Sequence, residues 1–338
     1  GPGQLFDRWI RRYGIDVELD WLDPVVALRA GNVTLAVPPD RGDFVERICA
    51  LPGAPAARVR AFFAEQRRVA NTLWALFDDP RLLPPFGARG LWAHLRRTPR
   101  YVPLLAWVGR PLTAVLHKHG LADWSPLRVW LDGLCQITVQ CSAAEAEAPF
   151  ALATMDYYFR GTAHVRHGIG ALATGLTDAL TRLGAEVRFS SRVKGLQPIP
   201  GGWRAETRGG PITARRVALN LIPQAARRLL GWPEGANRGL DRRAAAVADG
   251  WGAAMLYLAA EPPPGAPDKP QHLQCVLDPS RPLQEGNHIF CSISGAADRG
   301  RAPGRQRTLT VSTHVPMATL RALPEAEQRA YIARIQHG

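Results

Sequence analysis

Residues 164 to 192 read HVRHGIGALATGLTDALTRLGAEVRFSSR. Within this stretch, Gly168-x-Gly170-x-x-Ala173 has the spacing with which glycines close a tight turn and bring a backbone up to a pyrophosphate at a helix N-terminus. His167 stands beside these glycines and is the one group there able to move a proton near neutral pH. Two other groupings invite chemistry and do not support it. His117-x-His119 is spaced i, i+2, so the two rings do not share a helix face and no metal site is expected there. The cysteines Cys49, Cys135, Cys141, Cys275 and Cys291 include no C-x-x-C pair, which argues for reduced core thiols and against zinc or a disulfide framework.

A dinucleotide loop must follow a buried parallel strand and is paired with an acidic residue at the end of the next strand, about 20 residues on. Here the preceding FRGTAHVR is too polar for a buried strand, and VRFSSRV ends without a carboxylate, Glu186 lying at its beginning. The glycines therefore open a helix, Gly170 to Leu183 with Gly184 as its stop, without being a Rossmann loop. Strands are expected next in EVRFS, RVKGLQPI, WRAET and ITARRVALNL. Upstream, a helix spans Gln4 to Tyr13, and PVVALRAGNVTLAVPP reads as a hairpin about its Ala-Gly-Asn centre. AARVRAFFAEQRRVANTLWALF has apolar positions at helical spacing, and Ser142-x-x-Glu145 is a capping box for a helix running towards Tyr157. Downstream, AAMLYLAA, HLQCVL, HIFCSIS and RTLTVSTHV read as strands, and Pro324 to Ile335 as a helix with proline in its first turn.

The 338 residues suffice for two intertwined domains, and an apolar content of 46% with 21% charged residues marks a folded globular chain. No run approaches the ~20 apolar residues of a membrane-spanning helix. The net charge of +13 comes almost wholly from arginine, since only Lys118, Lys194 and Lys269 are lysines. GC-rich coding gives that skew, and with no nucleic-acid-binding motif present no nucleic-acid partner is expected. The opening GPGQLFDRWI has neither an initiator Met nor a signal-peptide pattern, and reads as the start of a fragment or processed product. Arg81 to Ala122 holds seven Arg or Lys and no Asp or Glu, with Trp92, Trp107, Tyr101 and many leucines. Such a basic, aromatic-rich stretch suits the headgroup region of an anionic membrane.

Several segments resemble those of one family. RHGIGAL, RLGAEVRF and RVKGL together resemble the glycine turn, helix and strand pair of amine-oxidase-type flavoenzymes, with His167 where the first glycine of the pair usually stands. LQCVLDPSRPLQEGNHIFCSISGAADRGRAPGRQRTLTVSTHVP resembles a segment of the phytoene desaturase and carotenoid isomerase family, through Asp298, Ala302, Pro303, Gly304 and Pro316. ARRVALNLIPQAARRLLG, GPGQLFDRWIRRYG and CQITVQCSAAEAEAPFALATMDYY are similar to further elements of that family, nearest its 3',4'-desaturase branch. Neither the family's N-terminal GxGxxG nor its C-terminal flavin-covering segment is seen.

The resemblance implies an α/β, FAD-dependent amine-oxidase-like two-domain fold, a partial flavin-binding domain plus a mixed β-sheet substrate domain with a helical roof. Residues 1–24 would be an edge of the flavin domain and 164–235 its central part; residues 25–163 and 236–338 would form the substrate domain. FAD is the implied cofactor, with Val193 (through its backbone), Gly168 and Gly170 as contacts; His167, Ile169, Ala171 and Tyr157 would line the substrate pocket, and His167 is the candidate catalytic residue. The implied activity is that of a bacterial carotenoid desaturase or isomerase, cytoplasmic and peripheral on the membrane, meeting an apolar polyene substrate there. On its own the chain is expected to bind FAD poorly and be inactive. Two alternatives stay open: an amine-oxidase-type flavoenzyme with a smaller substrate, and an inactive chain that binds a hydrophobic ligand or a membrane. Oligomeric state is not legible.

Overall fold

The computed structural model describes residues 3–31, 33–84 and 87–337. Two compact units emerge, one of residues 1–179, 253–314 and 332–338, the other of residues 180–252 and 315–331.

The first unit begins with helix α1 (Leu5–Tyr13), stopped by Gly14 in the left-handed region, where glycine carries no Cβ penalty. Strand β1 (Leu19–Trp21) follows, then the expected hairpin β2 (Val26–Ala30) and β3 (Val33–Val37), antiparallel with Leu28 opposite Leu35. Asn32, at the centre of its turn, lies outside the described residues. Helix α2 (Arg41–Cys49) is capped by Asp40, whose side chain accepts the Asp43 N–H. The long α3 (Ala56–Phe77) buries Val59, Phe62, Phe63, Val69, Ala70 and Leu73 at helical spacing. Helices α4 (Ala88–Arg97), α5 (Val102–Leu105), α6 (Leu112–Lys118) and α7 (Ser125–Thr138) come next.

The Ser142/Glu145 pair does form. Glu145 accepts from the Ser142 N–H at 3.0 Å and from its hydroxyl at 2.9 Å. Only one turn follows it, however, and the helix restarts as α8 (Ala148–Thr154) and α9 (Asp156–Phe159). The interruption has a cause: the Ala148 N–H is taken by the Arg110 carbonyl, and Pro149 has no N–H to continue the ladder. Strand β4 (Ala163–Val165) then leads into α10 (Ile169–Arg182), close to the expected span and closed by Gly184 at φ +82.

The second unit holds an antiparallel meander of β5 (Val193–Ile199), β6 (Gly202–Thr207) and β7 (Gly210–Ala214), with α11 (Pro223–Leu230) and α12 (Arg238–Ala246). EVRFS and the VALNL part of ITARRVALNL, both expected as strands, are not strands. EVRFS breaks into a turn at Phe189 and Ser190, the latter at φ +53, and neither segment pairs with a described strand; a strand exists only by pairing. The remaining strands are β8 (Trp251–Ala260), β9 (Gln271–Val276), β10 (His288–Ile293) and β11 (Arg307–Pro316), followed by α13 (Met317–Ala322) and α14 (Glu325–His337).

The main sheet has the order β3-β2-β9-β10-β11-β8, with β2 parallel to β9 and both β9–β10 and β10–β11 antiparallel. One face meets a helical layer. Val26, Leu28, Leu35 and Val37 join Phe44, Phe62, Phe63 and Trp130 in a single apolar core, each such side chain contributing about 1.5–3 kcal/mol through burial. Gly133 lets α7 come close, since a Cβ there would stand 3.2 Å from Gln274 Oε1.

Candidate functional site

The glycine turn hangs on one carboxylate. Strand β4 is only three residues long and pairs antiparallel with β1, so the turn after it is not a dinucleotide loop, which would need a buried parallel strand. After Val165 the chain reverses through His167 at φ +63 and Gly168 at φ +85 into α10. Asp298, 131 residues further on, accepts the His167 N–H at 2.6 Å through Oδ1. Its Oδ2 lies 3.0 Å from His164 Nε2 and accepts from Arg301 Nη1 at 3.0 Å. Burial raises the pKa of this carboxyl, but the hydrogen bonds from His164, Arg301 and His167 outweigh it and hold Asp298 below the ordinary carboxylate range. A buried anion with three donors keeps His167 in a backbone region that a non-glycine residue seldom adopts. Farther along α10, a Cβ at Gly175 would stand 2.2 Å from the Asp16 carbonyl oxygen, so only glycine lets the helix pack this closely on the chain after α1.

Of the expected site residues, the structure places five together by their succession in this turn. The His167 imidazole is half-exposed, with Nδ1 3.8 Å from Asp298 Oδ1. Ile169 is 74% exposed, Gly168 is buried, Ala171 is half-buried, and the space where Gly170 would carry a Cβ is open. Tyr157 lies elsewhere, its ring half-exposed against Trp74 at 5.8 Å. Its neighbour Tyr158 is the tyrosine that meets the sheet, its hydroxyl accepting from Gln274 Nε2 at 3.4 Å. Val193 opens β5 in the second unit, opposite Thr207 and beside a register shift. Because β5 is the edge strand of its meander, alternate N–H and C=O groups along it point away from β6. Asp156 is fully engaged in structure, bonded to Arg41 at 2.5 Å and Gln66 at 2.9 Å. His119 is likewise occupied, with Nε2 2.6 Å from the buried carboxylate of Glu65.

The registers of β9, β10 and β11 sort their side chains onto two faces. His272, Gln274, Val276, His288, Phe290, Ser292, Thr310, Ser312 and His314 share the face turned to the helices, with Val276 part of the apolar core, and Gln274 lies beside Leu28. Gln274 and His288 are fully buried there, and both ring nitrogens of His288, Gln274 Oε1 and His272 Nε2 lack a hydrogen-bond partner among the described residues. Burial, with the neighbouring His164 and His314 adding to it, drives His272 and His288 down to about 4, so both rings are neutral at pH 7. Leu273, Cys275, Ile289, Cys291, Ile293, Leu309 and Val311 point to the other face by strand alternation. All seven are half-buried and none belongs to the core under the helices. Sequence reasoning did not assign this inverted pattern or the Asp298 anchor. The signal for the first was the alternation in HLQCVL and HIFCSIS; for the second no local signal exists, because anchor and turn meet only in three dimensions.

No family model and no curated protein matches the chain. Solved structures do. An oxidoreductase from Methanosarcina mazei superposes with a TM-score of 0.61 at 15% identity, over 99% of this chain and 70% of that one. A redesigned putrescine oxidase gives 0.52 at 11% identity, over 97% of this chain and 67% of that one. A fatty acid isomerase from P. acnes that produces CLA gives 0.51 at 10% identity, with coverage of 98% and 67%. The chain thus spans about two thirds of the length of these proteins, and its fold is α/β and amine-oxidase-like, as expected from the sequence.

Proposed function

We propose that this chain, built on an amine-oxidase-like flavoprotein fold, forms the substrate-facing sheet and the flavin-facing turn of an FAD-dependent oxidoreductase. The observation that carries this is the turn His167–Ala171, clamped from behind by Asp298 and open in front at Ile169 and Gly170. The residues fit a flavin. The Ala171 N–H is taken by the Gly168 carbonyl at 3.0 Å, which leaves the N–H groups of Ile169 and Gly170 at the start of α10 without an intrahelical partner, and with the positive end of the helix they favour an electron-rich ring. Gly170 leaves room for it. When bound, FAD supplies the hydride acceptor that an unactivated C–H bond needs.

The chain's own contribution is positional. Asp298 holds the turn, and Arg301 neutralises that carboxylate and backs Gly168, whose Cβ position is 3.3 Å from the guanidinium. His167 presents a half-exposed imidazole that can hold or pass a proton at Nδ1 or Nε2. The half-buried apolar face of Leu273, Ile289, Cys291, Ile293, Leu309 and Val311 supports an apolar substrate, a carotenoid or similar polyene, undergoing desaturation or isomerisation. A fatty acid isomerase of similar fold that produces CLA supports this reading. The amine-oxidase alternative needs an aromatic cage and polar entrance, and none of these six residues is aromatic.

The test is reconstitution with FAD, followed by absorbance and by quenching of flavin fluorescence. It is run on this chain and on any longer polypeptide of the same reading frame, with Asp298→Asn beside each. Flavin uptake that weakens at least tenfold in Asp298→Asn, and polyene binding in preference to putrescine, are the expected results. If neither polypeptide takes up FAD, the oxidoreductase reading is wrong; if putrescine is the ligand preferred, the substrate assignment is.

A further inference from the structure

On the helical side of the first unit, six large apolar side chains stand out in solvent. Leu91, Trp92 and Leu95 on α4 are 60%, 59% and 64% exposed, and Val102, Leu105 and Val108, on α5 and just beyond it, are 62%, 62% and 57% exposed. Isolated exposed apolar residues need no explanation, but a run of this size does. The two groups are held in a fixed arrangement, because His94 on α4 bridges the Tyr101 hydroxyl at 2.9 Å and the Leu82 carbonyl at 3.1 Å. The face is therefore preformed.

Its electrostatics are one-sided. Residues 81–122 contain no Asp or Glu. Arg97 is spent on Asp79 at 2.9 Å and Lys118 on Glu65 at 2.7 Å, but Arg89, Arg96 and Arg100 have no ion-pair partner among the described residues. Arg89 and Arg96 are seven residues apart, two helical turns, so they share a stripe of α4 beside Trp92. Two other aromatics of this segment do not reach out. Trp107 is buried and donates to Glu65 at 2.9 Å, and Tyr101 is half-buried against His94. Leu, Val and Trp in front with unpaired arginines on the flank is the arrangement of an element lying in the plane of a bilayer interface.

We infer that α4, α5 and the turn to Val108 form a docking surface for an anionic phospholipid bilayer, with Leu91, Trp92, Leu95, Val102, Leu105 and Val108 entering the acyl boundary while Arg89, Arg96 and Arg100 meet phosphates. The occupant is an anionic lipid surface and not a protein groove, because Arg89, Arg96 and Arg100 accompany the exposed apolar side chains without an ion-pair partner among the described residues, while Asp79 is already bonded to Arg81 and Arg97.

The experiment is cosedimentation of the chain with phosphatidylcholine vesicles and with vesicles also containing phosphatidylglycerol, at low and high salt. It requires neither flavin nor activity, so its outcome is independent of the proposed function. Binding to the anionic vesicles that weakens with salt is expected. Trp92→Ser with Leu95→Ser, or Val102→Ser with Leu105→Ser, should lower partitioning at least tenfold with an unchanged circular dichroism spectrum. Arg96→Gln with Arg100→Gln should lower it tenfold to thirtyfold on anionic vesicles only, since each basic residue near such a surface is worth about fivefold. Absence of binding to both vesicles, or variants that bind like the parent, overturns the inference. So does a dimer in solution that the serine variants convert to monomer, which would make the patch a contact between copies.

Discussion

The β2–β3 hairpin and the β9–β11 meander lie in one sheet and follow opposite rules. In the hairpin, Val26, Leu28, Leu35 and Val37 face the helices, while Arg29 and Thr34 face away, exposed. In the meander, histidine, glutamine, serine and threonine face the helices together with Val276 and Phe290, while leucine, isoleucine, valine and cysteine face away. Burying polar groups without partners costs about 1–3 kcal/mol each, and leaving apolar side chains uncovered forgoes burial energy. Folding stability by itself would select neither. The hairpin is optimised as core, whereas the meander places unpartnered polar groups beneath the helices and leaves an apolar face half-buried, a departure from folding consistency of the kind found at functional sites.

Three measurements would break or sharpen this contrast. The largest effect is expected at the hairpin: Leu28 is fully buried, and Leu28→Ala should cost about 2–5 kcal/mol in a denaturant titration.

A smaller effect lies in the buried histidines. Their folded pKa of about 4 is below the unfolded value of about 6.5, so between these limits the unfolded chain binds more protons. Stability is then full above pH 6.5 and declines as pH falls towards 4, by on the order of 2–3 kcal/mol for His288. His288→Leu should flatten that decline and raise stability at pH 7 by about 1 kcal/mol, because it removes two unpartnered ring nitrogens. A destabilised variant would show that the ring has a partner and that the contrast is overstated.

The least effect is expected at Ile289→Ser on the apolar face, about 1 kcal/mol or less at half burial, with polyene affinity reduced at least tenfold. A loss of stability equal to that of Leu28→Ala would mean that this face is core after all.

Much of the fold was legible because its causes are local. Gly14 and Gly184 end helices where expected, and the alternating segments of the main sheet became strands. The 142–145 capping box formed its hydrogen bonds yet did not start the expected helix, because Arg110 claims the Ala148 N–H from outside. At the candidate site, the succession His167 to Ala171 was visible, but its anchor was not. Asp298 entered only as part of an Asp-Ala-Pro-Gly pattern, and the contact of Tyr158 with Gln274 had no local signal. One step along a helix turns a side chain by about 100°, and periodicity without a known partner face does not say which of two adjacent tyrosines turns inward.

The sequence by itself determined where backbone conformation changes: glycines that permit positive φ, caps that satisfy helix ends, and the two periods that distinguish helix from strand. These depend on neighbours within about four residues, and chain order is enough to read them. Tertiary structure alone decided which extended segments became strands, which face of the meander met the helices, and which carboxylate fixed the glycine turn. Each of those is settled by a hydrogen-bonding or packing partner far away in the chain, and the free energy of a pairing belongs to both partners at once.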